Sequence, residues 1–212
     1  MEIYSTEEQQ IEAIKRFLRE NGLSIVAGIV LGLGGLYGYR HYQATQLAAA
    51  EGHSAGYTTL TETLQDPKAD KSAFPAEAQK FIDANKDSSY AAMAALLSAK
   101  ELVMKKDFAA AEQQLAWVIA NNQQPEIMAV AQLRLARVQA EQKKFPEALK
   151  TLEAKLPGAF AAQQLELKGD VLNASGDAAG AKAAYQAAKT ALGTEQNPLL
   201  DVKMNELAHV AG

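Results

Sequence analysis

The chain has 212 residues, 48% of them hydrophobic, and a formal net charge of −4 at pH 7. With no cysteine and only three histidines, it excludes disulfides, iron–sulfur clusters and cysteine-ligated zinc, and it leaves little for other metal chemistry. The acidic balance offers no basic surface for nucleic acid. Alanine is abundant, aromatic residues make up only 7% of the chain, and strand-like alternation is nearly absent, so we expect an all-α protein.

Residues 21–39 (NGLSIVAGIVLGLGGLYGY) carry no charge. A helix of this length spans about 28 Å, close to the ~30 Å hydrocarbon core of a bilayer, which predicts a transmembrane helix. A buried core helix is one alternative, although core helices are rarely uncharged over such a length. A cleaved signal peptide is another, since Ala48–Ala50 resembles a cleavage site. An uncleaved anchor is favoured because a long, acid-containing segment precedes the stretch and polar residues 40–43 follow it.

The flanks of this stretch predict its orientation. Lys15, Arg16 and Arg19 precede it, whereas Arg40 alone follows it closely, so the positive-inside rule puts the N-terminus in the cytoplasm. Before the stretch, an apolar helical face is formed by Ile11, Ile14, Phe17 and Leu18. The chain then divides into a cytoplasmic amphipathic tail (1–20), a transmembrane helix (21–39) and a helical domain beyond the membrane (40–212).

Glycines in the predicted span are spaced for helix packing. Gly28 and Gly32 form one small-x-x-x-small pair, and Gly34 and Gly38 form another on a different face. Such pairs let a second helix approach closely in lipid. The alternative is that glycine is simply frequent in membrane helices. A nucleotide-binding loop is excluded, because Tyr37 replaces the third glycine of G-x-G-x-x-G and no strand precedes the run.

Beyond residue 43, helical segments alternate with short breaks and no segment has strand periodicity. The breaks fall at residues 66–67, 86–88, 105–107, 121–125, 143–144, 156–158, 175–177 and 193–198. Paired helices are the natural unit of such a chain. The pattern predicts a first hairpin within residues 44–87 and a capping helix within residues 199–210, which would cover the last apolar face.

One pattern recurs three times in the second helices. Its copies are Asp107-Phe108 with Ala111 and Leu115, Lys144-Phe145 with Ala148 and Leu152, and Asp177-Ala178 with Ala181 and Tyr185. They begin at residues 107, 144 and 177, spacings that bracket the period of about 34 residues in tetratricopeptide repeats. The first helices supply matching small residues at Ala99, Ala136 and Gly169. Lysine replaces the turn glycine in the first two copies. We expect a tetratricopeptide-repeat-like α-solenoid of helical hairpins, although an alanine-rich bundle could mimic it.

In such a solenoid the first helices line a concave surface. Aligning the copies places nine residues on it: Met93, Leu96, Lys100, Val130, Leu133, Arg137, Gln163, Glu166 and Asp170. Apolar residues mixed with both signs of charge suit an extended polypeptide better than a small anion. The alternative for Leu96 and Leu133 is the core. The sequence has no H-E-x-x-H, G-x-S-x-G or Walker motif, so we expect a binding protein, not an enzyme, with no cofactor and no metal.

The run IEAIKRFLRENG at Ile11–Gly22, with the glycine-rich span ending in GYRHY, resembles the start of the YfgM family of ancillary SecYEG translocon subunits. LRLARVQ at Leu133–Gln139 and VKMNEL at Val202–Leu207 fit the same family, whereas residues 51–75 depart from it most. The resemblance implies a bacterial inner-membrane protein with one span, a cytoplasmic N-terminus and a periplasmic tetratricopeptide-like domain.

The same resemblance implies partners and a role. Such proteins are associated with the SecYEG translocon and with a membrane-anchored periplasmic chaperone of the PpiD type. They are implied to help pass newly translocated polypeptides to periplasmic chaperones. The alternatives are a structural scaffold, or a stress-signalling regulator acting through residues 1–20, either of which would join membrane partners without touching substrates.

Overall fold

The computed structural model describes residues 7–65, 68 and 70–208. Every regular element within these residues is helical, which confirms the all-α prediction. The elements are α1 (Glu7–Gln65), α2 (Phe74–Ala84), α3 (Ser89–Met104), α4 (Phe108–Asn121), α5 (Pro125–Glu141), α6 (Phe145–Thr151), a 3-10 turn (Gly158–Phe160), α7 (Ala161–Ala174), α8 (Ala178–Leu192) and α9 (Pro198–Glu206).

The chain forms two compact units, Met1–Gly52 and His53–Gly212, and α1 contributes residues to both. The predicted divisions after residues 20 and 39 fall inside α1. The predicted break at residues 66–67 lies outside the described residues. The same holds for residues 1–6 of the predicted tail and for residues 209–210 of the predicted capping helix.

The first unit contains the apolar stretch of α1. No part of this stretch is buried, and Leu23 is 86% exposed. A core helix would cover such side chains, so the core-helix alternative is wrong. The helix is long and apolar enough to cross a membrane.

The second unit contains three hairpins, α3/α4, α5/α6 and α7/α8, one for each copy of the sequence pattern. Helices α4, α6 and α8 begin at Phe108, Phe145 and Ala178, as the pattern predicts. The small residues of the pattern are fully buried at Ala111, Ala148 and Ala181. Small side chains let neighbouring helix axes approach closely, which explains their place in each copy.

The turns between paired helices repeat one geometry. Lys106, Lys143 and Gly176 have φ angles of 62°, 61° and 93°, so each occupies the left-handed region that favours glycine. In the first turn the amide of Asp107 donates to the carbonyl of Leu102 at 2.9 Å. The amide of Lys106 donates to the carbonyl of Val103, also at 2.9 Å. The other two turns have the equivalent pair of hydrogen bonds, a Schellman arrangement. The two lysines at the turn-glycine positions therefore adopt a left-handed backbone conformation that glycine adopts more easily.

In two of these three turns, the residue that follows the left-handed position caps the N-terminus of the next helix with its side chain. The carboxylate of Asp107 accepts from the amide of Ala110 at 3.1 Å, and that of Asp177 accepts from the amide of Gly180 at 2.9 Å. These bonds satisfy amide groups that lack a partner in the first turn of a helix. Lys144 stands at the same position before α6 and makes no side-chain cap.

The core is divided among three clusters. The first includes Leu60 of α1, Phe74 and Ile82 of α2, and Leu115 and Val118 of α4. The second lies between the later hairpins, and its buried members are Leu133, Ala136, Ala148, Leu152, Leu167 and Val171. The third joins α8 to α9 through Ala181, Tyr185, Ala188, Leu200 and Leu207. Helix α9 thus covers the last apolar face, which confirms the predicted capping helix within the described residues.

A polar network connects the first two hairpins. The carboxylate of Glu112 on α4 accepts hydrogen bonds from Nε2 of Gln139 (3.1 Å), Nε2 of Gln142 (3.0 Å) and Nζ of Lys144 (2.9 Å). The hydroxyl of Thr151 on α6 donates to Gln139 at 2.7 Å. Burial alone would raise the pKa of Glu112, but these hydrogen bonds outweigh it and lower that pKa.

Helix α6 is only 7 residues long and ends in an irregular segment that leads to α7. The side-chain amide of Gln164 on α7 donates to the carbonyls of Leu152 and Ala154, each at 2.7 Å. These carbonyls follow the end of α6 and would otherwise need another donor. Gln164 therefore fastens the short helix to the next hairpin.

Candidate functional site

The predicted site residues lie on α3, α5 and α7, whose common surface we call the first-helix face. Of the nine residues, Lys100, Arg137 and Gln163 are exposed, while Met93, Leu96 and Val130 are half-buried. Leu133 is only 2% exposed and belongs to the second core cluster with Ala148 and Leu152. The core alternative for Leu133 is therefore correct, because its side chain packs inside the α5/α6 hairpin region.

Glu166 and Asp170 form ion pairs with Lys203 on α9. Nζ of Lys203 lies 2.7 Å from Oε1 of Glu166 and 2.9 Å from Oδ2 of Asp170. Asn197 donates to Oε2 of Glu166 at 3.0 Å, and the hydroxyl of Tyr185 donates to Oδ1 of Asp170 at 2.8 Å. Both carboxylates thus hold the capping helix in place.

The electrostatics of this cluster follow from its contacts. Burial would lower the pKa of Lys203, but the hydrogen bonds to Asp170 and Glu166 outweigh it and raise that pKa. Burial raises the pKa of Tyr185, and the hydrogen bond to Asp170 raises it further. Lys203 also lies 5.8 Å from the centre of the Tyr185 ring, within the range of a cation–π contact.

A groove lies between α3 and α5, and we call it the α3/α5 groove. Its volume is about 310 Å³. The lining residues are Ala99, Lys100, Val103, Met104, Leu115, Arg134, Arg137 and Val138. Its floor is aliphatic and its charged residues are all cations. Met104 is 68% exposed, which is unusual for a large apolar side chain on the repeats.

A second groove, the α5/α7 groove, has a volume of about 580 Å³. Its charged lining residues are Arg137, Lys143, Glu141 and Asp170, so the two signs balance. Phe145, Leu167 and Val171 contribute to its apolar part. Arg137 lines both grooves, which makes it the residue that connects them.

The structure therefore brings only some of the predicted residues together. Lys100 and Arg137 share the α3/α5 groove, and Arg137 and Asp170 share the α5/α7 groove. The sequence prediction missed Met104 and Arg134. Helical spacing could have found both, since Met104 follows Lys100 by one turn and Arg134 precedes Arg137 by one turn.

The four glycines of the predicted packing faces stand in open space. Apart from the adjoining residues and backbone of its own helix, a Cβ added at Gly28, Gly32, Gly34 or Gly38 would have no heavy atom within 4 Å among the described residues. These faces are available to another helix, and their use in packing remains a prediction.

Comparison with known proteins gives a consistent family. A family model described as a tetratricopeptide repeat-like domain matches residues 15–209, which includes the apolar stretch as well as the hairpins. A protein of Escherichia coli (strain K12), named ancillary SecYEG translocon subunit, is 36% identical over 209 residues, covering 98% of this chain and 100% of the relative. The chain belongs to this family of ancillary SecYEG translocon subunits.

Further members support the assignment. Proteins with the same name from Haemophilus influenzae (strain Rd) and Aggregatibacter actinomycetemcomitans are 33% and 34% identical, and each match covers 95% of this chain and 97% of the relative. The family resemblance found in the sequence is thereby confirmed. The family name and the repeat fold indicate an ancillary, non-catalytic protein. The apolar N-terminal helix, together with that name, fits a single-pass membrane protein.

Proposed function

We propose that this protein is a membrane-tethered adaptor at the Sec translocon, which helps hand newly translocated polypeptides to periplasmic chaperones. The single observation that carries the proposal is that one chain of a translocon-subunit family has both an apolar helical stretch with no buried residue and a set of helical hairpins with open grooves. The partners in this proposal are the SecYEG translocon, a PpiD-type membrane-anchored chaperone and nascent exported polypeptides.

The proposed location is the bacterial inner membrane, with the N-terminus in the cytoplasm and the hairpins in the periplasm. The cations Lys15, Arg16 and Arg19 before the span support this orientation. The large side chains of the span, such as Leu23, find no cover within the described chain. Lipid, or a neighbouring membrane helix, would supply that cover.

Tethering explains how weak binding can serve this role. A polypeptide that leaves a translocon within reach of the tethered hairpins meets them at a high effective concentration. The groove contacts can therefore be modest and reversible, which suits a protein that must release its cargo to a chaperone. The α3/α5 and α5/α7 grooves supply apolar and charged contacts along the first-helix face.

The experiment combines photocrosslinking with a truncation. A photoreactive amino acid replaces Lys100 or Arg137 in the full chain, and exposed Lys168, on α7 but outside both grooves, serves as the control position. We expect heterogeneous adducts with nascent exported polypeptides from positions 100 and 137 only. A single discrete adduct would instead favour the structural scaffold, and no adduct would contradict polypeptide binding.

The truncation tests the tether. Deleting residues 1–43 removes the span but keeps Leu60, which belongs to the first core cluster. We expect a folded helical domain that no longer copurifies with SecYEG. Copurification at full yield would contradict the tethering. Deleting only residues 2–14 tests the signalling alternative and keeps the cations Lys15, Arg16 and Arg19 that precede the span. A regulator acting through the tail of residues 1–20 would lose its effect while translocon association persisted.

A further inference from the structure

The charges of the α3/α5 groove differ from those of the rest of the protein. The whole chain has a net charge of −4, yet the charged lining residues of this groove are Lys100, Arg134 and Arg137. Among the residues that the structure describes, no carboxylate forms an ion pair with any of the three. Within the described residues, the side chain of Arg134 makes one hydrogen bond, a long one of 3.5 Å to the carbonyl of Leu96.

The neighbouring α5/α7 groove provides an internal comparison. There Glu141 and Asp170 accompany the cations Arg137 and Lys143, and Asp170 is already bound by Lys203. The lining of that groove therefore contains carboxylates as well as cations. The lining of the α3/α5 groove has three cations and no carboxylate, and it shares only Arg137 of these cations with the neighbouring groove. This arrangement favours a ligand with negative charge.

The floor of the α3/α5 groove is apolar, so we expect its ligand to carry an apolar group as well as negative charge. Val103, Leu115 and Val138 line it, and Met104 stands beside them with 68% of its surface exposed. Methionine is flexible and polarisable, so it adapts to side chains of different shape. The volume of about 310 Å³ is at the lower end of the range for ligand pockets, about 300–1,000 Å³. A short segment of chain fits this space and a folded domain does not.

We propose that the α3/α5 groove selects polypeptide segments in which acidic residues flank a large aliphatic or aromatic side chain. The apolar side chain contacts Met104 and Val103, while carboxylates on either side pair with Arg134, Arg137 and Lys100. Arginine can bind a carboxylate with two parallel hydrogen bonds, which gives the pairing direction as well as strength. This inference rests on the proposed polypeptide-binding function and names the class of segment that is bound.

The test uses the full chain in lipid nanodiscs and fluorescein-labelled peptides, with fluorescence anisotropy as the readout. The first peptide has a Leu-Phe centre flanked by Asp and Glu. The second replaces the acids by Lys, and the third keeps the acids but replaces the Leu-Phe centre by Gly-Gly. We expect the first peptide to bind about tenfold or more tightly than either of the others, and to weaken as salt is raised.

Two variants assign the preference to the groove. Arg134→Gln combined with Arg137→Gln should reduce affinity for the first peptide about tenfold, since two charge-assisted contacts are lost. The matched control, Lys155→Gln combined with Lys168→Gln, removes the same charge from exposed positions outside the groove and should bind like the wild type. Unchanged helical circular dichroism in both variants shows that they are folded.

The results that would overturn the groove assignment can be distinguished from those that would overturn the adaptor role. Equal binding of acidic and basic peptides, unaltered binding by the arginine variant, or no binding of any peptide would each overturn the groove assignment. So would a peptide-displaceable dimer, because the groove would then be filled by a second copy of the chain. Copurification with SecYEG is measured separately, and it tests only the adaptor role and not the peptide preference of the groove.

Discussion

The ring of Tyr185 on α8 occupies the space that a side chain at Gly169 on α7 would need. A Cβ built on Gly169 would overlap Cε1 and Cδ1 of that ring. Tyr185 is only 2% exposed, and its hydroxyl is fixed by the hydrogen bond to Asp170. The ring therefore has little room to move away, and glycine at position 169 is a requirement of packing.

The first prediction concerns Gly169→Ala. In an unobstructed helix this change would stabilise the protein by about 1 kcal/mol. Here overpacking against Tyr185 should dominate and destabilise the protein by about 1–3 kcal/mol. Chemical denaturation measures the change. Gly158→Ala is the control, because a Cβ there meets nothing within 4 Å, and it should alter stability little. A more stable Gly169→Ala protein would contradict the packing described.

The second prediction concerns the lysines in the left-handed turns. Lys106→Gly and Lys143→Gly should each stabilise the protein by about 1 kcal/mol, since a side chain in this backbone region is strained. The φ angles of 62° and 61° provide the reason. Lys168→Gly, in the exposed interior of α7, should instead destabilise by about 1 kcal/mol. Thermal unfolding distinguishes the signs, and destabilisation by all three changes would contradict the assigned turn geometry.

The third prediction is a dependence of stability on pH. The folded-state pKa of Glu112 is lowered and thus lies below that of the unfolded chain. Its contribution to stability is present at neutral pH and is lost as the pH falls below about 5 toward the folded-state pKa. Glu112→Gln should therefore flatten the decline in stability between about pH 6 and pH 3.5. Urea denaturation at several pH values measures this slope.

The matched control for this measurement is Glu153→Gln. Glu153 is exposed, and its side chain has no hydrogen bond or ion pair within the described structure. We expect its pH profile to run parallel to that of the wild type. If Glu112→Gln also ran parallel, the network around Glu112 would contribute nothing to acid sensitivity.

The fourth prediction concerns the attachment of α9. Lys203→Met leaves Glu166 and Asp170 close together without their shared cation, so we expect destabilisation by about 1–3 kcal/mol. The released helix should also become sensitive to limited proteolysis. Lys86→Met is the control, because its pairing with Asp83 is long, at 3.7 Å, and exposed. Equal effects of the two changes would contradict the proposed role of Lys203.

Much of the fold could be predicted because its signals are local in sequence. Buried small residues such as Ala111 and Ala148 recur at the repeat period, and the predicted breaks from residue 86 onward fall at helix boundaries. The repeat pattern also predicted a small residue at position 169, because Gly169 matches Ala99 and Ala136 in the first helices of the other two copies. The sequence could not show that the ring of Tyr185 fills the space beside Gly169. This contact depends on how α7 packs against α8 in three dimensions.

The functional surface was less predictable, because it depends on contacts between distant segments. Spacing placed Glu166 and Asp170 on a common face, but it could not reveal that Lys203 of α9 binds both. Leu133 lies on the same helix as Arg137, and only the packing of α6 and α7 buries one and leaves the other exposed. Similarly, no sequence pattern indicates that Gln164 donates to the carbonyls of Leu152 and Ala154, which follow the end of α6.

The proposed adaptor role requires a chain that crosses the membrane once and presents its hairpins outside the cytoplasm. Because the protein has no native cysteine, single cysteines report topology without background. Glu12→Cys and Lys168→Cys would be treated with a membrane-impermeant maleimide in intact spheroplasts. We expect labelling at position 168 alone, with position 12 reacting only after the membrane is permeabilised. Labelling at position 12 alone, or a mature chain that begins after Ala50, would contradict this membrane-tethered topology.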